Sequence, residues 1–182
     1  MNNNTTRSEY DKKLFKASVK STLKDYQWDY FITLTFKYSK QSIDCNRISN
    51  RFLKHLNKIT FGRHSNKSVR MILVIEPHMA YGYHVHALIQ DPTSRINPQR
   101  QATFSLRDAV ATAWDNASPA TARPDRAHFA HGHWSAPPTD KWFQPVDDVD
   151  NLLDYLLKTI GHRDDVIQWE LLSSDGRRIN VI

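Results

Sequence analysis

The strongest constraint on the fold is a pair of apolar, strand-like segments joined by a short link. The first, Val69–Glu76, has the sequence VRMILVIE and is apolar on both faces, and the second, Tyr83–Gln90, has the sequence YHVHALIQ. A run that is apolar on both faces is typical of a central strand covered on both sides. Because Pro77–Gly82 interrupts the apolar run, the two strands most simply pair as an antiparallel hairpin.

Further along the chain, strand-like and helical patterns mix. Tyr30–Phe36 alternates with the period of a strand, and shorter strands are predicted near His128–Trp134 and at Val166–Leu172. Apolar residues at helical spacing predict helices over Glu9–Tyr26, from Asp44 to before Gly62, over Ser105–Trp114, and from Asp147 to Gly161. Because there is no regular βαβ alternation, we expect an α+β fold, a central antiparallel sheet of about five strands flanked by helices.

The length and composition favour one intracellular domain. The 182 residues suit a single domain, which we expect over residues 9–182 behind a flexible N-terminus of residues 1–8. The longest apolar run, Met71–Ile75, is too short to span a membrane, and no secretory signal is present. Cys45 is the single cysteine, which excludes an internal disulfide and is typical of a reducing compartment. We therefore expect a cytoplasmic protein, with a monomer favoured.

The positive charge is concentrated in the front part of the chain. Residues 1–70 hold 15 Lys and Arg against 5 Asp and Glu, a net +10, and residues 71–182 hold 10 against 14, a net −4, which together give the total of +6. Such a basic segment favours a polyanionic partner, most often a phosphate backbone, although exposed lysines also serve solubility alone. Arg63, Lys67 and Arg70, which precede the central strand, are the candidate phosphate contacts.

Two histidines on the second strand of the hairpin are candidate metal ligands. His84 and His86 flank Val85, so both imidazoles project from one face of the strand. If the hairpin is symmetric about its turn, Glu76 lies opposite His84, at a distance of about 5 Å between Cβ atoms, and on the same face. Two imidazoles and a carboxylate leave coordination positions open for a substrate oxygen. His78, in the turn, could take the place of the carboxylate, and two histidines on a half-exposed strand could also bind nothing.

The last predicted helix carries a candidate nucleophile. Its leucines form one apolar stripe, and Tyr155 falls about 130° from the centre of that stripe, beside Lys158, Asn151 and His162. A phenol is a poor nucleophile at neutral pH, but a neighbouring ammonium and a metal-bound phosphate make its attack chemically sensible. Alone, the pattern Y-x-x-K is common and also fits an ordinary boundary tyrosine and a solvated lysine.

Aromatic and polar residues near loops and strand ends are further candidate contacts for a polyanionic partner, because proteins that bind single-stranded nucleic acid combine a basic groove with aromatic stacking. Trp134 and Trp142 are the principal candidates, with Trp28 and Tyr38 as further ones, although most tryptophans belong to a core. Thr33, Thr35 and Asn151 are candidate polar contacts. The histidine cluster in AHFAHGHW, at His128, His131 and His133, has a spacing that could bind a metal ion but lacks a neighbouring acid or cysteine to complete the site, so a DNA-facing loop and an ordinary surface strand are the alternatives.

Three motifs in this order resemble the HUH endonuclease superfamily, and within it the single-tyrosine rolling-circle replication initiator (Rep) proteins of plasmids and small DNA viruses. They are FITLTF at Phe31–Phe36, Glu76 with HVH at His84–His86, and YLLK at Tyr155–Lys158. The family motifs are an FTLTF-like strand, histidine–hydrophobe–histidine and Y-x-x-K. The matching stretches extend from Phe31 to Lys158, and their order and spacing carry the specificity.

The resemblance implies a metal-dependent endonuclease that nicks and rejoins single-stranded DNA to start rolling-circle replication. Glu76, His84 and His86 would bind Mn²⁺ or Mg²⁺, and an imidazole-containing site should tolerate or prefer manganese. Tyr155 would attack a phosphodiester and form a 5′-phosphotyrosine, and Lys158 would stabilise charge at the phosphate. The family fold, a central antiparallel sheet flanked by helices, agrees with the pattern above.

Two features depart from the family pattern. No helicase domain follows Lys158, so a host helicase would unwind the DNA, or the domain belongs to a longer protein. No second tyrosine lies near Tyr155, which argues against a two-tyrosine mechanism. A conjugative relaxase or a single-tyrosine transposase shares the chemistry and remains an alternative, as does a non-catalytic nucleic-acid-binding module. A prokaryotic plasmid, phage or mobile element is the expected source.

Overall fold

The structure, a computed structural model, describes residues 3–38, 42–78, 82–126, 129–130, 133–134 and 140–158. The elements in chain order are α1 (Asn3–Lys24), β1 (Tyr30–Phe36), α2 (Ser42–Phe61), β2 (Met71–His78), β3 (Gly82–Ile89), α3 (Pro98–Gln101), α4 (Leu106–Asp115), β4 (Thr121–Ala122), β5 (Phe129–Ala130), β6 (His133–Trp134), β7 (Phe143–Pro145) and α5 (Val149–Leu157). Short 3₁₀ turns lie at Thr93–Arg95 and Asp140–Trp142. Within the described residues, no helix is long and apolar enough to span a membrane.

The expected α+β fold is confirmed, because helices flank an antiparallel five-stranded sheet. The strand order is β2-β3-β1-β4, and β7 also pairs with β1. The described part of β2 pairs only with β3, so the central strand is β1 and not the predicted Val69–Glu76. That segment is apolar on both faces because apolar clusters with helices cover both sides of the sheet at β2.

The strands of the outer part of the sheet were predicted less well than β1, β2 and β3. β4 and β7 contain two and three residues, too few to show a period of two. The predicted strand near His128–Trp134 is a separate two-stranded ribbon formed by β5 and β6. The predicted strand Val166–Leu172 lies outside the described residues.

The sheet has one apolar cluster on each face, because side chains alternate along its strands. Met71, Leu73 and Ile75 of β2 pack on the side of α2 and α4. Ile72 and Val74 pack on the other side, with α1 and α5. Even-numbered residues of β2 and β3 therefore face α1 and α5, which decides where the functional side chains of these strands lie.

The helix boundaries follow local signals where the sequence contains them. The Ser105 side chain accepts a hydrogen bond from the Asp108 N–H at 3.2 Å and so caps α4. Asp148 caps α5 in the same way through the Asn151 N–H at 3.0 Å. By contrast, α1 begins at Asn3, well before the predicted Glu9 and inside the segment expected to be frayed. Residues 3–8 have no apolar side chain, so periodicity could not detect this first part of the helix.

The acidic residues of α5 hold that helix against α1. Lys20 pairs with Asp154 at 2.6 Å and with Asp150 at 3.4 Å, and Lys24 also pairs with Asp150. The Lys16 ammonium donates to the Lys158 carbonyl at the end of α5 at 3.1 Å. These contacts fix the position of α5 over the sheet.

Trp114 anchors α4 against the sheet, and we expect Trp114→Ala to lower the free energy of unfolding by about 3–5 kcal/mol. Its ring is fully buried between Phe36 and Phe52, and its indole N–H donates to the Thr35 carbonyl at 3.0 Å. Urea unfolding measures the change. The exposed Tyr38→Ala is the control, with an expected change within about 0.5 kcal/mol. Similar losses in both variants would contradict this role.

Candidate active site

The register of the β2–β3 hairpin places Glu76, His84 and His86 on one face of the sheet. Glu76 lies directly opposite His84, and Val74 opposite His86, which is the predicted pairing. All three side chains are on even-numbered positions and so face the side of α1 and α5. The two imidazole rings lie 6.4 Å apart between centroids.

Helix α5 brings a tyrosine and a lysine to the same place. Its buried residues Leu153, Leu156 and Leu157 pack in the apolar cluster under α1, as the predicted stripe required. Tyr155 lies off that stripe and remains 41% exposed, so part of its side chain faces solvent. The Lys158 ammonium lies over the Tyr155 ring, at 3.7 Å from the centroid.

The Glu76 carboxylate is the point where these side chains meet. Its Oε2 accepts a hydrogen bond from the Tyr155 hydroxyl at 3.2 Å and lies 2.8 Å from Nε2 of His86. Its Oε1 pairs with the Lys158 ammonium at 2.6 Å. Residues from β2, β3 and α5 therefore form one connected polar network.

His86 is held on its other edge by β1. Thr33 lies opposite His86 in the β1–β3 pairing, and its hydroxyl is 3.0 Å from Nδ1 of His86. The His86 ring is 5% exposed. In the neutral ring, the 2.8 Å contact with the Glu76 carboxylate makes Nε2–H the donor, and Nδ1 then accepts from the Thr33 hydroxyl. In the other tautomer Nδ1–H donates to Thr33, which leaves Nε2 unprotonated, the form that binds a metal ion.

Phe31 is a residue of this site that sequence reasoning did not single out. Its ring stacks on His86 with centroids 5.5 Å apart and planes 11° from parallel, and it meets Tyr155 edge-on at 6.2 Å. Phe31 is two residues before Thr33 on β1, so both face the site. This spacing could have placed Phe31 at the site, but an aromatic residue in a strand is ordinarily assigned to the core.

The pKa shifts follow from burial and from this network. Burial raises the pKa of the Glu76 carboxyl, but the hydrogen bond from Lys158 and the charges of His86 and Lys158 outweigh it, so the pKa lies below its ordinary value. Burial lowers the pKa of His86 and outweighs the opposing effect of Glu76. Burial alone would lower the pKa of Lys158, but its bond to Glu76 raises it. The site thus combines a carboxylate, a neutral imidazole and an ammonium.

The Glu76 carboxylate and the His86 imidazole are suitable ligands for a divalent cation, and the distance between them also suits one. A carboxylate oxygen and an imidazole nitrogen are ordinary ligands of Mn²⁺, and two adjacent ligands of an octahedral ion at about 2.1 Å lie about 3 Å apart. The 2.8 Å between Glu76 Oε2 and His86 Nε2 matches that separation. Within the described part of the chain, no three His, Cys, Asp or Glu side chains are grouped closely enough to hold an ion as they stand. To complete a three-ligand site, the His84 side chain would have to move closer to Glu76 and His86.

Among the described residues, the other predicted contact residues make their contacts outside this network. Asn151 is in the first turn of α5, where its side chain donates to Asp148 at 2.6 Å. Thr35 is half-buried further along β1. Trp142 is 7% exposed and packs in the core beside Phe143, so its ring is not presented to a base. The side chain of Trp134 and the residue His162 lie outside the described residues.

The three predicted phosphate contacts lie before β2, at the end of that strand opposite to Glu76. Arg63 is exposed in the turn after α2. The Lys67 ammonium donates to the Arg95 carbonyl at 2.8 Å. Arg70 is half-buried, with its guanidinium 3.4 Å from the Gln90 side chain. The structure therefore does not bring these cations to the candidate active site.

The polar network coincides with a segment that matches a known family. The model of the family described as replication-associated protein ORF2 matches residues 29–162 of the 182 in the chain, a range that includes β1, the hairpin and α5. Neither a search of curated proteins nor a search of solved structures found a match. Because the family model covers well over half of the sequence, the chain belongs to the replication-associated protein ORF2 family.

Proposed function

We propose that this chain is a replication initiator of the HUH type, a metal-dependent endonuclease that nicks and rejoins single-stranded DNA through Tyr155. The observation that carries the proposal is the convergence of the Tyr155 hydroxyl, the Lys158 ammonium and the His86 imidazole on the Glu76 carboxylate. Membership of a replication-associated family supports the same role. A sheet module that only binds nucleic acid would have no need of a partly exposed phenol in this network.

In the proposed reaction, the Tyr155 oxygen forms a bond to phosphorus and the bond from phosphorus to the 3′ oxygen breaks. The products are a 5′-phosphotyrosine and a 3′-hydroxyl, and the proton lost by the phenol is balanced by the proton that the 3′ oxygen gains. No water is consumed, so the reverse attack reseals the strand without an external energy source. Glu76, His84 and His86 would hold Mn²⁺ or Mg²⁺, which when bound polarises the scissile phosphate and offsets its charge.

The side chains around Tyr155 have separate tasks in this scheme. Lys158 lies over the phenol ring and supplies positive charge beside the attacking oxygen and the phosphate. Phe31 stacks on the face of the His86 ring and Thr33 contacts its Nδ1 edge, and together they fix the plane of the ring. The 41% exposure of Tyr155 leaves room for a DNA strand to approach from solvent.

The direct test is to mix the protein with a diverse pool of single-stranded DNA and Mn²⁺, and to separate the products under denaturing conditions. We expect a protein–DNA adduct that survives denaturation and disappears when a chelator is present. Sequencing the captured strands would give the nick site. Binding of the pool without any adduct would contradict the proposed chemistry and favour the non-catalytic module.

Thr33→Val tests the orientation of His86. The substitution removes the hydroxyl at Nδ1 with little change in shape, and we expect a 10- to 100-fold weaker affinity for Mn²⁺, about the effect of losing an outer-shell partner. Calorimetric titration with Mn²⁺ measures this affinity, and Thr103→Val, at an exposed threonine, is the control. An unchanged affinity in Thr33→Val would show that this hydroxyl does not position the imidazole.

A further inference from the structure

Helix α2 carries a straight row of cations on its outer side. Arg47, Arg51, Lys54 and Lys58 are all exposed and lie within about 60° of one another around the helix axis. The buried residues of α2, among them Phe52, pack against the sheet on the face opposite to the candidate active site. The row is about 16 Å long, which corresponds to about five base pairs of B-form DNA.

Most of the charges in this row have no acidic partner among the described residues. Arg47 pairs with Asp44 at 2.8 Å, but Arg51, Lys54 and Lys58 form no ion pair with any residue that the structure describes. Like charges four residues apart, as in Lys54 and Lys58, destabilise a helix by a few tenths of a kcal/mol. On α1, by contrast, Lys20 and Lys24 pair with acidic residues of α5.

A basic cleft adjoins the C-terminal end of α2. Its volume is about 500 Å³, and its described lining includes Lys67, Arg95 and Arg100 but no acidic side chain. Arg100 donates to the carbonyls of Ile59 at 2.7 Å and of Thr60 at 3.3 Å in the last turn of α2. Backbone carbonyls thus hold this arginine in place without cancelling its charge.

We infer that the row on α2 and this cleft form a second nucleic-acid surface, which binds the phosphate backbone of duplex DNA. We define this surface, the basic ridge, by Arg51, Lys54 and Lys58 together with Lys67, Arg95 and Arg100. It lies on the α2 side of the sheet, whereas the candidate active site lies on the side of α1 and α5. The protein can therefore hold a duplex independently of the strand that, under the proposed function, it cuts.

Duplex DNA fits the ridge better than a single strand does. Binding of single strands relies on exposed aromatic rings on which bases stack. The aromatic residues of α2 are Phe52, which is fully buried, and Phe61, which lies under the guanidinium of Arg95. A rigid row of cations without exposed aromatic rings on the same helix is suited to the sequence-independent backbone of a duplex.

The test compares two triple variants that remove the same charge from different places. Arg51→Gln/Lys54→Gln/Lys58→Gln alters the ridge, and Lys12→Gln/Lys13→Gln/Arg126→Gln alters exposed cations elsewhere. Both are made in Tyr155→Phe protein and measured with chelator present, so that strand cleavage cannot contribute. Fluorescence anisotropy with a 20-base-pair duplex, at several salt concentrations, gives the affinity and its salt dependence.

We expect the ridge variant to lose 10- to 100-fold in duplex affinity. The negative slope of log K against log salt should become shallower by about 2 to 3, because each lost phosphate contact removes about 0.9 from its magnitude. The control should change less than twofold. Glutamine is a good helix former, so α2 should persist, and Arg51→Lys/Lys54→Arg/Lys58→Arg, which keeps the charge, should bind like the parent. Equal losses in the two charge-removing variants, or a larger loss for a single strand than for the duplex, would overturn the inference.

Discussion

Tyr155→Phe should eliminate the covalent protein–DNA adduct and reduce strand nicking by at least about 10³-fold, because removal of a nucleophile leaves only the contribution of binding and electrostatics. The substitution deletes one hydroxyl, whose described partner is the Glu76 carboxylate at 3.2 Å. The ring contacts with Phe31 and His86 remain available to phenylalanine. DNA affinity should therefore stay close to that of the unmodified protein.

The matched control is Tyr10→Phe, which removes a hydroxyl from a tyrosine that is 63% exposed on α1. Quantitative nicking of a labelled strand, with binding measured separately, distinguishes a chemical defect from weak binding. If Tyr155→Phe keeps a nicking rate within about tenfold of the unmodified protein, Tyr155 does not act as the nucleophile.

Glu76→Gln should reduce both Mn²⁺ affinity and nicking by more than about 100-fold, since loss of even an outer-shell partner typically costs 10- to 100-fold. The change preserves the shape of the side chain but removes the charge that holds Lys158 at 2.6 Å and faces Nε2 of His86 at 2.8 Å. The carboxylate is thus predicted to act both as a metal ligand and as the organiser of the network.

Calorimetric titration with Mn²⁺ and the nicking assay together test this prediction, with Glu9→Gln on the exposed side of α1 as the matched control. A thermal unfolding curve of each variant separates a local defect from loss of the fold. If Glu76→Gln binds Mn²⁺ as tightly as Glu9→Gln, the proposed ligand set is wrong.

The hairpin at the centre of the site was predictable because its information is local. The alternation around Val85 places both histidines on one face, and the short link sets the register that puts Glu76 opposite His84. The same is true of α5, where the leucine stripe determines which side Tyr155 occupies. These features depend on residues that are neighbours in sequence.

The features of the fold and the site that the sequence did not indicate depend on contacts between segments that are distant in the chain. The short strands β4 and β7 exist because they pair with β1, and two or three residues carry no periodic signal of their own. The stacking of Phe31 on His86 depends on the pairing of β1 with β3. Trp142 was predicted to contact DNA because it lies near a loop, whereas in the structure its ring is buried in the core.

The most direct test of the central claim is to locate the covalent bond between protein and DNA. Trypsin should release Trp142–Lys158 as one peptide, and Tyr155 is the single tyrosine in it. After nuclease digestion of the adduct, mass spectrometry should find a nucleotide phosphate attached to that peptide, with fragmentation placing it on Tyr155. A nucleotide on any other peptide would contradict the proposed mechanism.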